Sequence, residues 1–192
     1  MSTTQPIRNK QQLENFRNYY KTIEQKPRNY ALIVFGLNSA LRIGDILNLK
    51  WQDIRKDDHY RKHITVIECK TGKENIFPLN KASIESLEFY RKAIGNPAEN
   101  DYIFFSQKAK NCPISRSQAF RIIQKAANAT GLDEQHISCH SLRKTFGYHA
   151  WKNGTPPALL MSVFNHSSYE ITKRYLGIQQ FDKDEVYQKT IL

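Results

Sequence analysis

His140 and Arg143 stand three residues apart in the segment His140-Ser141-Leu142-Arg143. If a helix opens there, positions i and i+3 share one face. The free backbone N–H groups and the positive dipole end of that helix point the same way. An imidazole and a guanidinium so placed suit a phosphate; the plain alternative is a surface His and Arg without a role. Further on, Phe164-Asn165-His166-Ser167-Ser168 precedes Thr172-Lys173-Arg174-Tyr175, which sets a second imidazole ahead of a phenol. A phenol with the ordinary pKa near ~10 is protonated at neutral pH and needs a base or a positive field before it attacks anything. The immediate neighbourhood does not single out Tyr175 from Tyr148, Tyr169 or Tyr187, and a lone tyrosine is usually a packing residue.

The bulk composition agrees with a phosphate-bearing partner. The chain has 192 residues, with 29 Lys plus Arg against 18 Asp plus Glu, for a formal net charge of +11. An excess of that size favours polyanions, DNA or RNA above all. Cys69, Cys112 and Cys139 are odd in number and form no Cys-x-x-Cys, which argues against a disulfide framework and for a reducing compartment. Residues 1–16 are polar, and the strongest apolar run, Ala31 to Leu37, is far too short to span a bilayer. A cytoplasmic protein with no membrane partner is expected. His59 with His63, and His136, Cys139 and His140 with the distant Cys112, do not repeat a zinc spacing with enough ligands. With no Gly-rich phosphate loop either, no metal and no cofactor are expected.

The elements that must position these groups are mostly helical. Asn9 can cap a helix carrying Leu13, Phe16, Tyr20 and Ile23, and Pro27 suits the first turn of another carrying Tyr30, Ile33, Val34 and Leu37. A third helix is expected from about Leu41, with Ile43, Ile46, Leu47 and Leu49. The β-branched run His63 to Lys70, then Thr71-Gly72-Lys73, then Glu74 to Leu79, reads as a hairpin with a Gly-containing turn. Asn80 caps the next helix, which Gly95-Asn96-Pro97 stops; Tyr102 to Phe105 reads as a short strand or extended segment. Ser115 with Gln118 opens a helix that Gly131 ends. Helices follow over His140–Lys152, from Thr155-Pro156 to Val163, and over Tyr169–Leu176, where Ser167 and Glu170 resemble a capping box and Gly177 is the stop. Asp182 and Glu185 mark a last helix reaching Ile191. The fold class is mainly α with a small antiparallel β-sheet, in a single domain over 1–192. Trp51 and Ile54 read as core.

The combination resembles the phage-integrase family of tyrosine recombinases, over about Pro27 to Gln180. That family carries a Leu-Arg followed by an acidic residue, a Lys at a hairpin turn, a His-x-x-Arg box, a Gly-His segment, and a Tyr nine residues beyond that His. Leu41-Arg42-Ile43-Gly44-Asp45, Lys70-Thr71-Gly72-Lys73, His140-Ser141-Leu142-Arg143, His166 and Tyr175 match these in order. The family's Gly before the second His is Asn165 here, the best non-Gly residue for a left-handed backbone. The small residue before Leu41, often Gly, is Ala40.

The resemblance implies the DNA breaking-rejoining catalytic fold and a site-specific recombinase or integrase acting through a 3′-phosphotyrosine. It implies Tyr175 as nucleophile, Arg42 and Arg143 as the phosphate clamp, and His140 as the group that accepts or relays the phenol proton. His166 is a phosphate hydrogen-bond donor in that scheme. Lys70 protonates the leaving 5′ oxygen, with Lys73 as runner-up, and Asp45 orients the framework from behind. Double-stranded DNA is the partner, with a homo-oligomer, a tetramer, assembled on it. Two competing readings are a type IB-like topoisomerase and a DNA-binding protein that kept the fold without the chemistry. Family members usually carry a separate N-terminal DNA-clamping domain, which is not expected within these 192 residues. Residues 181–192 form a tail helix whose apolar stripe, Val186, Tyr187 and Ile191, either packs on its own domain or docks on a neighbour.

Overall fold

Asn9 accepts a hydrogen bond from the Gln12 N–H at 3.0 Å and so opens the first helix, α1, Lys10–Thr22. This computed structural model describes residues 4–95, 97–109 and 111–191. Pro27 then starts α2, Pro27–Asn38, in which every residue from Ala31 to Leu37 is buried. A helix apolar all round belongs in the middle of a core, and α2 packs against α1 and against two later helices, α5 (Lys81–Ile94) and α7 (Cys139–Lys152). The α2–α7 approach needs glycine: a Cβ on Gly36 would lie 2.5 Å from the Leu142 Cδ1.

Between α2 and α5 come two one-turn helices, α3 (Ile43–Leu47) and α4 (Trp51–Ile54), then four short strands. Leu49 falls outside α3 but is buried, as are Trp51 and Ile54. The expected hairpin is present, with β3 (His63–Ile67) antiparallel to β4 (Glu74–Pro78) and Val66 opposite Asn75. A second, smaller ribbon pairs β1 (Arg55–Lys56) with β2 (His59–Tyr60). The sequence reading missed it. Its turn residues, Asp57 and Asp58, both take φ > 0 (47° and 61°), a hairpin-turn signature without the usual glycine. Tyr102 and Phe105 form isolated bridges to Lys50 and Pro113.

Asn80 and Ser115 cap α5 and α6 (Arg116–Ala129) as their types imply. Gly95 takes a left-handed cap after α5, and Asn96 of the expected stop lies outside the described residues. A single 3-10 turn, Asp133–Gln135, leads to α7. Three helices finish the chain: α8 (Pro157–Val163), α9 (Tyr169–Leu176) and α10 (Gln180–Lys189). The cap of α9 is Ser168, not the expected Ser167: its side chain accepts from Ile171 N–H, and Gly177 closes the helix at φ 65°. A small second cluster, Ala40, Leu160, Phe164 and Leu176, lies beside the main core, with the Tyr175 ring packed on it. Among the described residues no helix is long and apolar enough to cross a membrane. The last helix stops at Lys189, short of the expected Ile191, and Val186, Tyr187 and Ile191 are uncovered, 61%, 80% and 91% exposed, with Ile191 beyond the helix. What ties α10 to the body is charge, since Lys152 meets Asp182 at 2.8 Å and Glu185 at 2.5 Å.

Candidate active site

Ser138 accepts from His140 N–H while Ser141 Oγ accepts from Ser138 N–H, and this reciprocal cap fixes where α7 begins. It places His140 in the first turn and Arg143 one turn deeper. Arg143 is 1% exposed. Its guanidinium donates to the Ala40 carbonyl at 2.6 Å and to the Phe164 carbonyl at 2.7 Å. Those carbonyls belong to the loops that lead into Arg42 and His166, so one buried side chain sets the spacing of two others.

Both loops turn on residues with positive φ, Ala40 at 55° and Asn165 at 50°. These are the two places where the family commonly has a smaller residue. The turn survives in each case, and Asn165 adds a bond, donating from Nδ2 to the Glu74 carbonyl at 3.3 Å on the hairpin. Arg42 follows as the N-cap of α3. Gly44, in the first turn of α3, is a close approach: a Cβ there would meet the Arg116 Nη2 at 2.5 Å.

The floor of the site is a carboxylate that the sequence reading did not name. Glu68 has no exposed surface and accepts from Arg42 Nη1 at 2.5 Å, Thr71 Oγ1 at 2.7 Å and Asn75 Nδ2 at 3.3 Å, with Arg143 Nη1 at 4.0 Å. Burial pushes its pKa up, but hydrogen bonds from Thr71 and Arg42 outweigh this and leave it below the ordinary value. The signal was present: in β3, Ile64 and Val66 face inward, and period-two alternation carries Glu68 to the same side. Asp45, 2% exposed, accepts from the Cys69 N–H at 2.9 Å and so fastens the chain one residue before Lys70. Lys70 is exposed in the hairpin turn, and its charge reaches His140. Lys73 is exposed on the far side of that turn.

Tyr175 sits over these groups. Its ring centre is 5.0 Å from that of His166, 5.2 Å from that of Phe164, and 5.9 Å from the Arg143 guanidinium carbon. Burial holds the phenol pKa above its ordinary value, and the Arg143 and Arg42 charges offset part of that rise. His166 shares a 3.0 Å hydrogen bond between Nδ1 and Thr172 Oγ1; burial, then Arg143 and Arg42, hold its pKa down to about 4. Burial and the charges of Lys144, Arg143, Arg42 and Lys70 lower that of His140. Both imidazoles are therefore neutral at pH 7 and able to accept a proton. The other tyrosines lie elsewhere: Tyr148 is buried against His149 and Trp151, Tyr169 is 48% exposed at the start of α9, and Tyr187 is 80% exposed on α10. Contacts thus join Arg42, Glu68, Arg143, His166 and Tyr175, with Asp45 fastening the chain behind them. His140 feels the charges of Arg143, Arg42 and Lys70 from the first turn of α7, and Lys70 is exposed in the hairpin turn.

Comparison with known proteins gives this arrangement its relatives. The model of the phage integrase family matches residues 8–180. The probable integrase/recombinase YoeC of Bacillus subtilis is 39% identical over 180 residues, covering 94% of this chain and 93% of its own. Among solved structures, the XerA recombinase superposes with a TM-score of 0.79 at 19% identity over 100% of this chain and 66% of its own. The XerH recombinase, in a post-cleavage complex with its difH substrate, does so at 0.75 and 22% over 97% and 52%. The chain therefore spans between about half and two thirds of the length of those solved relatives. Fold, ordered motifs and relatives agree, and the chain belongs to the phage integrase family of tyrosine-type DNA recombinases.

Proposed function

We propose that this chain cleaves and rejoins double-stranded DNA at specific sites through a 3′-phosphotyrosine on Tyr175. The observation that carries the reading is the packing of the Tyr175 ring against both Arg143 and His166, with the Arg42 charge acting on the same phenol. The Tyr175 oxygen attacks the phosphorus, its proton passes to neutral His140, and the 5′ oxygen leaves with a proton from Lys70, Lys73 being the alternative donor. Arg42 and Arg143 hold the non-bridging oxygens through charge-assisted bonds, and His166 adds a further one. Such transition-state contacts are worth on the order of 3 kcal/mol each. Because Arg143 is covered in the free protein, DNA has to shift part of that cover before the clamp closes. The phosphotyrosine keeps a phosphodiester's bond energy, so a free 5′ hydroxyl reseals it without ATP. The protein's own residues supply the cations this scheme needs.

Strand exchange needs several protomers on DNA, and a tetramer is the assembly we infer. The exposed Val186 and Tyr187 on α10, and Ile191 beyond it, support docking of the tail on a neighbour while Lys152 keeps the start of α10 on its own domain. The test is covalent capture on a pool of nicked duplexes with randomised flanks. Wild-type protein should yield protein–DNA adducts that map to Tyr175, and sequencing the captured strands reads out the site. Tyr175→Phe should yield none while its melting temperature and DNA affinity hold. Adducts that persist in Tyr175→Phe but vanish in Tyr169→Phe or Tyr187→Phe would transfer the role.

A further inference from the structure

The residues ahead of α1 take no part in the chemistry above, yet they are fastened to it at both ends. Lys144, the residue after Arg143, is 8% exposed and donates from Nζ to the Thr4 carbonyl at 2.6 Å. The same ammonium lies 5.6 Å from the centre of the Tyr175 ring. The Ile7 N–H donates to Oγ1 of the adjacent Thr145 at 2.9 Å, and one turn further along α7 His149 Nε2 donates to the Ile7 carbonyl at 2.9 Å. Pro6 and Ile7 are buried, Ile7 completely. Arg8 then crosses to the far end of α9, donating from Nη2 to the Gly177 carbonyl at 2.9 Å, with its guanidinium carbon 5.5 Å from the Tyr148 ring centre. The fit at that end is close: a Cβ on Gly177 would come within 3.2 Å of Arg8 Nη2 and 3.6 Å of Pro6 Cδ.

Helix α9 packs on α7 and α8, with Leu176 and the Tyr175 ring against Leu160 and Phe164, and the segment 4–8 adds a hold at its C-terminal end. The helix is eight residues long and buries only Thr172 and Leu176. A helix that short is not stable by itself and takes its position from its neighbours. Thr172 holds the His166 side, and the segment 4–8 holds the side two residues beyond Tyr175. We propose that Thr4–Arg8 is a strap that fixes the nucleophile helix, with Arg8 and Lys144 as positioning residues for Tyr175. The proposal rests on the reading of Tyr175 as nucleophile. Arg8 acts through the Gly177 carbonyl. Lys144 acts twice, anchoring the start of the strap and placing its charge against the phenol ring. Whatever pulls on the N-terminal end of the strap then moves the attacking oxygen relative to Arg143, and a misplacement of about 1 Å is enough to cost on the order of a hundredfold in rate.

Arg8→Met and Lys144→Met keep the apolar stems and remove the donors; Arg8→Lys keeps a donor. Two measurements decide the matter. Amide hydrogen exchange without DNA should speed up at least tenfold over residues 173–178 in both Met variants, with α2 unchanged and Arg8→Lys closer to wild type. Single-turnover adduct formation on the randomised nicked duplexes should slow at least tenfold, while DNA affinity changes less than threefold. Unchanged exchange in α9 together with wild-type rates overturns the proposal. So does faster exchange in α2 and α9 alike, which would make the contacts merely structural. Adducts mapping to another tyrosine would instead sink the nucleophile reading, and the exchange data without DNA would still judge the strap.

Discussion

A carboxylate with no exposed surface beside two arginines changes what each arginine can do. Glu68 fixes Arg42 in one rotamer and offsets charge that would otherwise repel between Arg42 and Arg143. Removing its charge leaves Arg42 without a fixed partner. Because Arg42 is partly exposed, the loss is smaller than for a fully buried pair, about 2 kcal/mol. Glu68→Gln should thus lower the denaturant midpoint modestly and cut adduct formation far more, through misplacement of Arg42. A variant that cleaves at the wild-type rate would remove Glu68 from the site. The histidines give a second expectation. Both have lowered pKa values, that of His166 about 4, whereas an unfolded histidine titrates near ~6.5. Between those values the unfolded chain binds more protons than the folded one. Their stabilising effect is therefore complete above pH 6.5 and is lost as pH falls towards 4. Melting temperature should drop from pH 7.5 to pH 5, and His166→Gln should flatten that slope. Equal slopes in both proteins would show that the site histidine is not responsible.

At the level of elements, the turns were read with more success than the faces. Asn9, Asn80 and Ser115 announce their helices because a side-chain oxygen at that position satisfies an orphan N–H locally, with no help from distant residues. The hairpin was legible for a similar reason, from its β-branched run and Gly-containing turn, whereas the His140–Arg143 box and the step from His166 to Tyr175 were read through the family resemblance. Contacts that depend on the fold were not legible. Nothing near Arg143 in the chain says that its guanidinium will bind the carbonyls of Ala40 and Phe164, and nothing near Lys144 announces Thr4. The β1–β2 ribbon escaped notice because Asp57-Asp58 lacks the glycine that usually marks such a turn. The left-handed Asn165 shows how a turn constrains its residue. Asn165→Gly keeps the backbone conformation and loses only the bond to Glu74, so it should be nearly neutral. Asn165→Ala loses the bond and meets the steric cost of about 1–2 kcal/mol for an L-residue in that region. Urea denaturation of the pair should rank Gly above Ala; the reverse order would mean that the side-chain bond outweighs the backbone.

Over the whole molecule the net charge of +11 makes DNA affinity a matter of counterion release. Each phosphate neutralised contributes a slope of about −0.9 in log K against log salt, so binding by the lone chain should weaken steeply between low and physiological salt. Deleting residues after Gln180 removes the exposed Val186, Tyr187 and Ile191 together with the acidic partners of Lys152. If the tail joins protomers, the shortened protein should melt normally, bind DNA and fail to form DNA-dependent oligomers in analytical ultracentrifugation. Early melting with intact assembly would assign the tail to its own domain instead.

That deletion has an electrostatic sign that makes it easier to interpret. The removed residues carry Asp182, Asp184 and Glu185 against Lys183 and Lys189, so the trunk left behind is more positive than the parent. Lys152, freed from its two carboxylates, becomes one more cation that can meet a phosphate. The truncated chain should grip DNA at least as tightly as the full one, with a salt slope no shallower. Any failure to assemble would then point to a missing surface, because the pull towards DNA has grown.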